Sequence, residues 1–229
     1  MEDSIHSLLD CAEAQCPRLA KLQLGRCYPR PLKWKPCLEL SLRLTRLALV
    51  GSWSLAWSNA KDWFELPELR ELIVKSMSYQ VPWTEQLMHF RCRQLESLSW
   101  TMVRGSDGSP DAARAFLKSL AALLKEHHWP RFHSLTLDSE GLNEFSNPWN
   151  YENEAEELAL VLRCCPPLRQ LILPKAFIQI SAWPAIQGHF QSFEVLELRA
   201  DSCLTQEVLS SFPQLRTFHS DDLEVYDVV

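Results

Sequence analysis

The chain has 229 residues with a formal net charge of −6, and 46% of its residues are hydrophobic. The apolar content is ample for a continuous core, while the negative balance argues against a nucleic-acid binder, whose phosphate contacts need concentrated Lys and Arg. No stretch approaches the roughly 18 consecutive apolar residues of a membrane-spanning helix, and Met1-Glu2-Asp3-Ser4 lacks the basic and apolar regions of a secretory signal.

The predicted elements follow one phrase: Leu or Phe, two variable residues, an apolar residue, one variable residue, and usually a further apolar one. It occurs eight times, at Leu19-x-x-Leu22-x-Leu24, Leu44-x-x-Leu47-x-Leu49, Leu69-x-x-Leu72-x-Val74, Leu95-x-x-Leu98-x-Trp100, Phe132-x-x-Leu135-x-Leu137, Leu168-x-x-Leu171-x-Leu173, Phe193-x-x-Leu196-x-Leu198 and, degraded, Leu215-x-x-Phe218-x-Ser220. Successive starts are 25, 25, 26, 37, 36, 25 and 22 residues apart. A phrase of this kind at this period predicts an α/β leucine-rich repeat solenoid, curved, with a parallel β-sheet on its concave face and helices on its convex face. Each core predicts a short strand whose alternate residues point inward.

Three residues before each core stands a column expected to be buried: Cys16, Ser41, Leu66, Cys92, Trp129, Cys165, Phe190 and Phe212. Proline follows at Pro17, Pro67, Pro130, Pro166 and Pro213. A buried residue closes each preceding helix, and proline then turns the chain toward the strand. Amphipathic helices are expected around Ile5 to Ala12, from Asp111 to His128 (Phe116, Leu117, Leu120, Leu123 and Leu124 on one face), between Glu152 and Cys164 (Leu158, Val161, Leu162), and near Val208 to Phe212. Thr84 to Phe90 reads as a shorter helix, and Gly51 to Glu65 as a weak one padded by Trp53, Trp57 and Trp63. Ser109 and Pro110 make an N-cap and first-turn proline for the long central helix.

The solenoid is expected to occupy residues 1–221, with insertions near 103–110 and 138–151. Residues 222–229 are an acidic C-terminal tail or cap. The opening helix has no strand before it, so an upstream segment or a partner is expected to cover the N-terminal edge.

Cys-Pro-x-Leu-x-x-Leu-x-Leu, at Cys16 to Leu24 and again at Cys165 to Leu173, resembles the leucine-rich repeats of F-box proteins, particularly fungal ones. In that family an N-terminal F-box binds the Skp-type adaptor of a cullin ubiquitin ligase, and the repeats present substrate. The resemblance therefore implies a substrate-binding repeat region, with a Skp-type adaptor as partner only if an F-box lies upstream. Leu66-Pro67-Glu68 echoes the start of an F-box but sits in register with the repeat. The rival reading is a stand-alone repeat scaffold or inhibitor-like binding protein with no role in ubiquitin transfer.

The eight cysteines include no Cys-x-x-Cys, which speaks against zinc. With no Asn-x-Ser/Thr sequon either, they read as reduced thiols of a cytoplasmic or nuclear protein. Cys16, Cys92 and Cys165 are expected to act as small buried hydrophobes. His127 and His128 suit the negative end of the central helix. Gly105 to Pro110 lacks the Gly-Lys-Ser/Thr ending of a phosphate loop, and Asp107 would repel phosphate. The carboxylates between Glu152 and Glu157 complement a helix start and are expected in solvent. No metal, no cofactor and no catalytic constellation is predicted, so the chain reads as non-enzymatic.

The expected contact surface is the set of strand positions between the buried ones. One column runs Lys21, Arg46, Glu71, Ser97, Ser134, Gln170, Val195, Thr217. The central column runs Gln23, Ala48, Ile73, Ser99, Thr136, Ile172, Glu197, His219, and a third runs Gly25, Val50, Lys75, Thr101, Asp138, Pro174, Arg199, Asp221. Scattered polar groups with modest apolar content suit a protein partner. The residues singled out for binding are Lys21, Arg46, Glu71, Ile73, Lys75, Ser99, Thr136, Asp138, Ile172, Glu197 and Arg199, with Trp149 and Tyr151 as aromatic anchors on the longer insertion.

Overall fold

The computed structural model describes residues 16, 18–25, 42–51, 64–76, 90–103, 110–127, 129–140, 155–173, 189, 191–198, 212–220 and 223–227. The expected helices near Ile5 to Ala12 and Val208 to Ser211, and the tryptophan-rich stretch Trp53 to Trp63, lie outside these residues. In chain order come β1 (Lys21–Gly25), β2 (Arg46–Gly51), β3 (Phe64–Glu65), β4 (Glu71–Ser76), β5 (Phe90–Arg91), β6 (Ser97–Val103), α1 (Pro110–His127), β7 (Ser134–Glu140), α2 (Ala155–Cys164), β8 (Gln170–Leu173), β9 (Val195–Leu198), β10 (Thr217–Ser220) and β11 (Leu223–Asp227).

Each repeated phrase delivers one strand, and the strands line up in sequence order. Among the described residues the main sheet runs β1-β2-β4-β6-β7-β8-β9-β10-β11 and is open. Every pairing from β1 to β10 is parallel, and only β11 returns antiparallel to β10. The result is an open, solenoid-like α/β arrangement of eight parallel strands.

Register follows the phrase without a slip. Leu22 stands opposite Leu47, then Leu72, Leu98, Leu135, Leu171, Leu196 and Phe218. From Leu47 to Leu196 every member of that row is at most 1% exposed. A one-residue slip would throw the whole row onto the opposite face, so burial on one side fixes the pairing. Burying each such leucine contributes about 1.5–3 kcal/mol. The phrase's opening residues Leu44, Leu69, Leu95, Phe132, Leu168 and Phe193 are equally buried beside them.

Five of the phrases enter their strand through the same turn. The amides of Leu19, Leu69, Leu95, Phe132 and Leu215 donate to the carbonyls three residues back, at Cys16, Leu66, Cys92, Trp129 and Phe212. Just beyond each turn, the carbonyl of the phrase's second residue accepts two amides of the following repeat. The series Ala20, Thr45, Arg70, Glu96, His133, Arg169 and Glu194 makes these paired bonds at 2.7–3.1 Å without interruption. Backbone polar groups at the strand entrances are thereby paired, as burial demands.

The helices close over the apolar side of the sheet. Phe116, Leu117, Leu120, Leu123 and Leu124 of α1, and Leu158, Val161 and Leu162 of α2, join the strand leucines in one core. Trp100 meets Phe116 with ring centroids 4.7 Å apart. Lys118 of α1 reaches Glu157 of α2 at 3.5 Å, and the Glu157 side chain is only 14% exposed. Glu157 thus bridges two helices where the sequence suggested a solvated carboxylate.

Two further expectations change. Phe90, expected to end a short helix, lies in β5, which pairs in parallel with β3 as a second, two-stranded sheet. In the seventh repeat the turn closes on the carbonyl of His189, which receives the Ser192 amide at 2.9 Å. His189 is buried at that turn; the expected column member Phe190 lies outside the described residues. Cys92 and Cys165 are buried as expected, but Cys16 is exposed. Its repeat is the first in the sheet order, and among the described residues no strand flanks it on the outer side.

Candidate binding face

The side of the sheet away from the helices carries three register-aligned rows. Lys21, Arg46, Glu71, Ser97, Ser134, Gln170, Val195 and Thr217 form the first, and Gln23, Ala48, Ile73, Ser99, Thr136, Ile172, Glu197 and His219 the second. The third runs Gly25, Val50, Lys75, Thr101 and Asp138. Alternation along each strand puts these residues opposite the buried leucines. Most are half-buried, which is what neighbouring strands at sheet spacing leave exposed.

Of the residues expected to make contact, Lys21, Arg46 and Glu71 therefore fall in the first row. Ile73, Ser99, Thr136, Ile172 and Glu197 fall in the second, and Lys75 and Asp138 in the third. Arg199, Trp149 and Tyr151 lie outside the described residues. Arg46 and Glu71 are drawn together as an ion pair at 3.1 Å. Three positions expected on the surface are buried instead: Ala48 is 4% exposed, and Thr101 and Ser134 are each 6%. These short side chains are shaded by longer neighbours, Thr101 between Lys75 and Asp138, and Ala48 between Gln23 and Ile73. Ser134 finds its partner in the row, its hydroxyl donating to Gln170 Oε1 at 3.1 Å.

A fourth column borders the first. It consists of the second residue of the seven later phrases, Thr45, Arg70, Glu96, His133, Arg169, Glu194 and Arg216, whose main-chain groups take part in the ladder that begins at Ala20. Four of their side chains pair in opposite sign between repeats, Arg70 with Glu96 at 3.7 Å and Arg169 with Glu194 at 3.9 Å. Thr45 adds its hydroxyl to the Ala20 carbonyl at 3.1 Å. The His133 ring donates from Nδ1 to the Arg131 carbonyl at 2.8 Å. Sequence reasoning passed over this column because the phrase treats the position as variable, although its run of charged residues was visible.

The two columns together line a shallow depression of about 330 Å³, bounded by Lys21, Thr45, Arg46, Arg70, Glu71, Glu96, Ser97, His133, Ser134 and Gln170. Its ion pairs are partly exposed, Arg46 and Glu71 at 43% and 37% of their side chains. Such pairs contribute at most about 1 kcal/mol to folding. Their charges stay available for orienting a partner.

Behind the face, titratable groups are held neutral. His189 Nε2 donates to the Leu162 carbonyl at 2.7 Å, and its Nδ1 receives the Leu168 amide at 3.4 Å. Burial lowers its pKa from the ordinary 6.5, outweighing the bond to Leu162, which acts to raise it. Burial pushes the Cys92 thiol up to about 12 and that of Cys165 higher still, with Cys164 adding to the latter. Among the described residues no three His, Cys, Asp or Glu side chains gather in an arrangement that would hold a metal ion.

No family model, curated protein or solved structure matches the chain. Among the described residues no helix is long and apolar enough to cross a membrane.

Proposed function

We propose that the chain is a leucine-rich repeat solenoid that recognises a protein partner, without catalysis, through the open face of its sheet. The observation that carries this reading is the three aligned rows of half-exposed side chains. In them apolar Ile73 and Ile172 stand among Ser99, Thr136 and Glu197, beside a border of paired charges. Broad, shallow and chemically mixed surfaces suit protein contact, whereas small-molecule sites are concave and enclose their ligand. On the resemblance of its Cys-Pro-x-Leu-x-x-Leu-x-Leu phrases to those of F-box proteins, the partner is the substrate of a cullin-type ubiquitin ligase.

The test is affinity capture with mass spectrometry, comparing the wild-type chain with Glu71→Lys/Lys75→Glu and with Ile73→Arg/Ile172→Arg. A partner retained by the wild type and lost from both variants, at unchanged far-UV circular dichroism, supports the face. Undiminished capture by both refutes it. Skp and cullin peptides among the captured proteins support the ligase assignment, and their consistent absence from a positive capture removes it.

A further inference from the structure

The two ends of the main sheet differ. At one end β11 folds back antiparallel on β10; at the other, β1 pairs only with β2 among the described residues. The consequence for β1 can be read from the repeats that follow it. In each later repeat the amides of the second and third phrase residues point back to the previous repeat's carbonyl, as Thr45 and Arg46 do to Ala20. The equivalent amides of the first repeat belong to Ala20 and Lys21, so they point off the outer edge. In a parallel strand, alternate residues direct their main chain to the same side, so Gln23 points outward with Lys21.

The side chains match an edge that no described strand covers. Leu22 and Leu24 are only partly buried, while their counterparts Leu47, Leu49, Leu72, Val74, Leu98 and Trp100 are at most 1% exposed. Lys21 and Gln23 are exposed. The next register pair in the Lys21 row joins Arg46 to Glu71 across adjacent strands at 3.1 Å, which shows how this row satisfies a cation.

We propose that the outer edge of β1 is a strand-addition site for a partner polypeptide. The partner supplies a parallel extended segment with an acidic residue opposite Lys21 and apolar residues opposite Leu22 and Leu24. The carbonyl preceding its acidic residue takes the amides of Ala20 and Lys21. The occupant is defined by the interface that the chain already makes seven times between its own repeats. Main-chain bonds supply affinity, and the acidic and apolar side chains supply register and direction. The main-chain edge is separate from the open face, although Lys21 and Gln23 border both.

The chain itself contains a suitable probe. The stretch 66–76 presents the Arg70 carbonyl, Glu71, Leu72 and Val74 in the required order, and it serves β6 in this way. A labelled synthetic peptide of that sequence is titrated into the whole protein by fluorescence anisotropy, with amide exchange followed in parallel. Saturable binding is expected, together with slowed exchange at Ala20, Lys21 and Gln23.

Gln23→Pro removes an outward amide and leaves the pairing with β2 intact, and it should weaken binding about tenfold at unchanged melting temperature. Lys21→Glu should weaken the native peptide and restore affinity for a peptide carrying Glu71→Lys; this exchange decides the matter should the proline variant fail to fold. The proposal is overturned if the peptide does not bind or if the charge swap brings no recovery. It is equally overturned if those amides are already protected in the free protein, since a second copy or the chain's own residues then hold the edge.

Discussion

His189 is tied to Leu162 by a 2.7 Å hydrogen bond from Nε2 to the main-chain carbonyl, across 27 residues of chain. The bond runs from the seventh junction to the last turn of α2, and the Leu168 amide approaches the other ring nitrogen. Both contacts suit the neutral Nε2–H tautomer. Adding a proton at Nδ1 would set a donor against the Leu168 amide inside the core.

A pH dependence follows. Because burial lowers the folded-state pKa below 6.5, the unfolded chain binds a proton first as pH falls. The contribution of His189 is therefore complete above about pH 6.5 and is lost below it, with a slope of at most about 1.4 kcal/mol per pH unit. Urea unfolding between pH 7.5 and pH 5 should show the decline. His189→Gln, which keeps a donor toward Leu162, should flatten that part of the profile while lowering stability at neutral pH.

The leucine row predicts a gradient in mutational cost. Leu72 is 1% exposed in mid-sheet, so Leu72→Ala should cost about 2–5 kcal/mol through lost burial and the cavity left behind. Leu22 occupies the same row but is partly exposed at the edge, and Leu22→Ala should cost less than half as much. Chemical denaturation of the two variants checks this. Equal losses would mean that the edge leucine is covered as fully as the central one.

Thiol chemistry gives an independent map of burial. Cys92 is 1% exposed with its pKa pushed up to about 12, and Cys165 is also buried. Alkylation needs an accessible thiolate, so both should resist iodoacetamide at pH 8 in the folded chain. Cys16 is exposed and should react. Peptide mass spectrometry before and after addition of denaturant reads all three.

The rows were legible because one phrase carries both a period of two and a period near 25 residues. Apolar alternation gives the face, and recurrence gives the register, so Leu22 could be aligned with Leu98 from sequence alone. Two-residue strands such as Phe64–Glu65 have no period to detect, and Phe90 was absorbed into a neighbouring helical pattern. At the seventh junction His189 is buried because two hydrogen bonds satisfy its ring, a compensation that hydropathy does not reveal. The charged border of Arg70, Glu96, His133 and Arg169 was overlooked because strand alternation begins one residue later.

That border carries the paired carbonyl ladder, and proline substitution separates its ends. The Arg70 amide donates to the Thr45 carbonyl at 2.9 Å. Arg70→Pro deletes this bond and pushes a ring carbon against the acceptor, so it should destabilise the chain by well over the ~1 kcal/mol of a single hydrogen bond. Ala20 occupies the same phrase position in the first repeat, which no strand precedes in the sheet order among the described residues. Ala20→Pro should therefore change stability by less than about 1 kcal/mol. Thermal unfolding of the two variants decides it: a comparable drop in both would show that the Ala20 amide already has an acceptor, and a mild effect in both would show that the ladder contributes little to the stacking of the repeats.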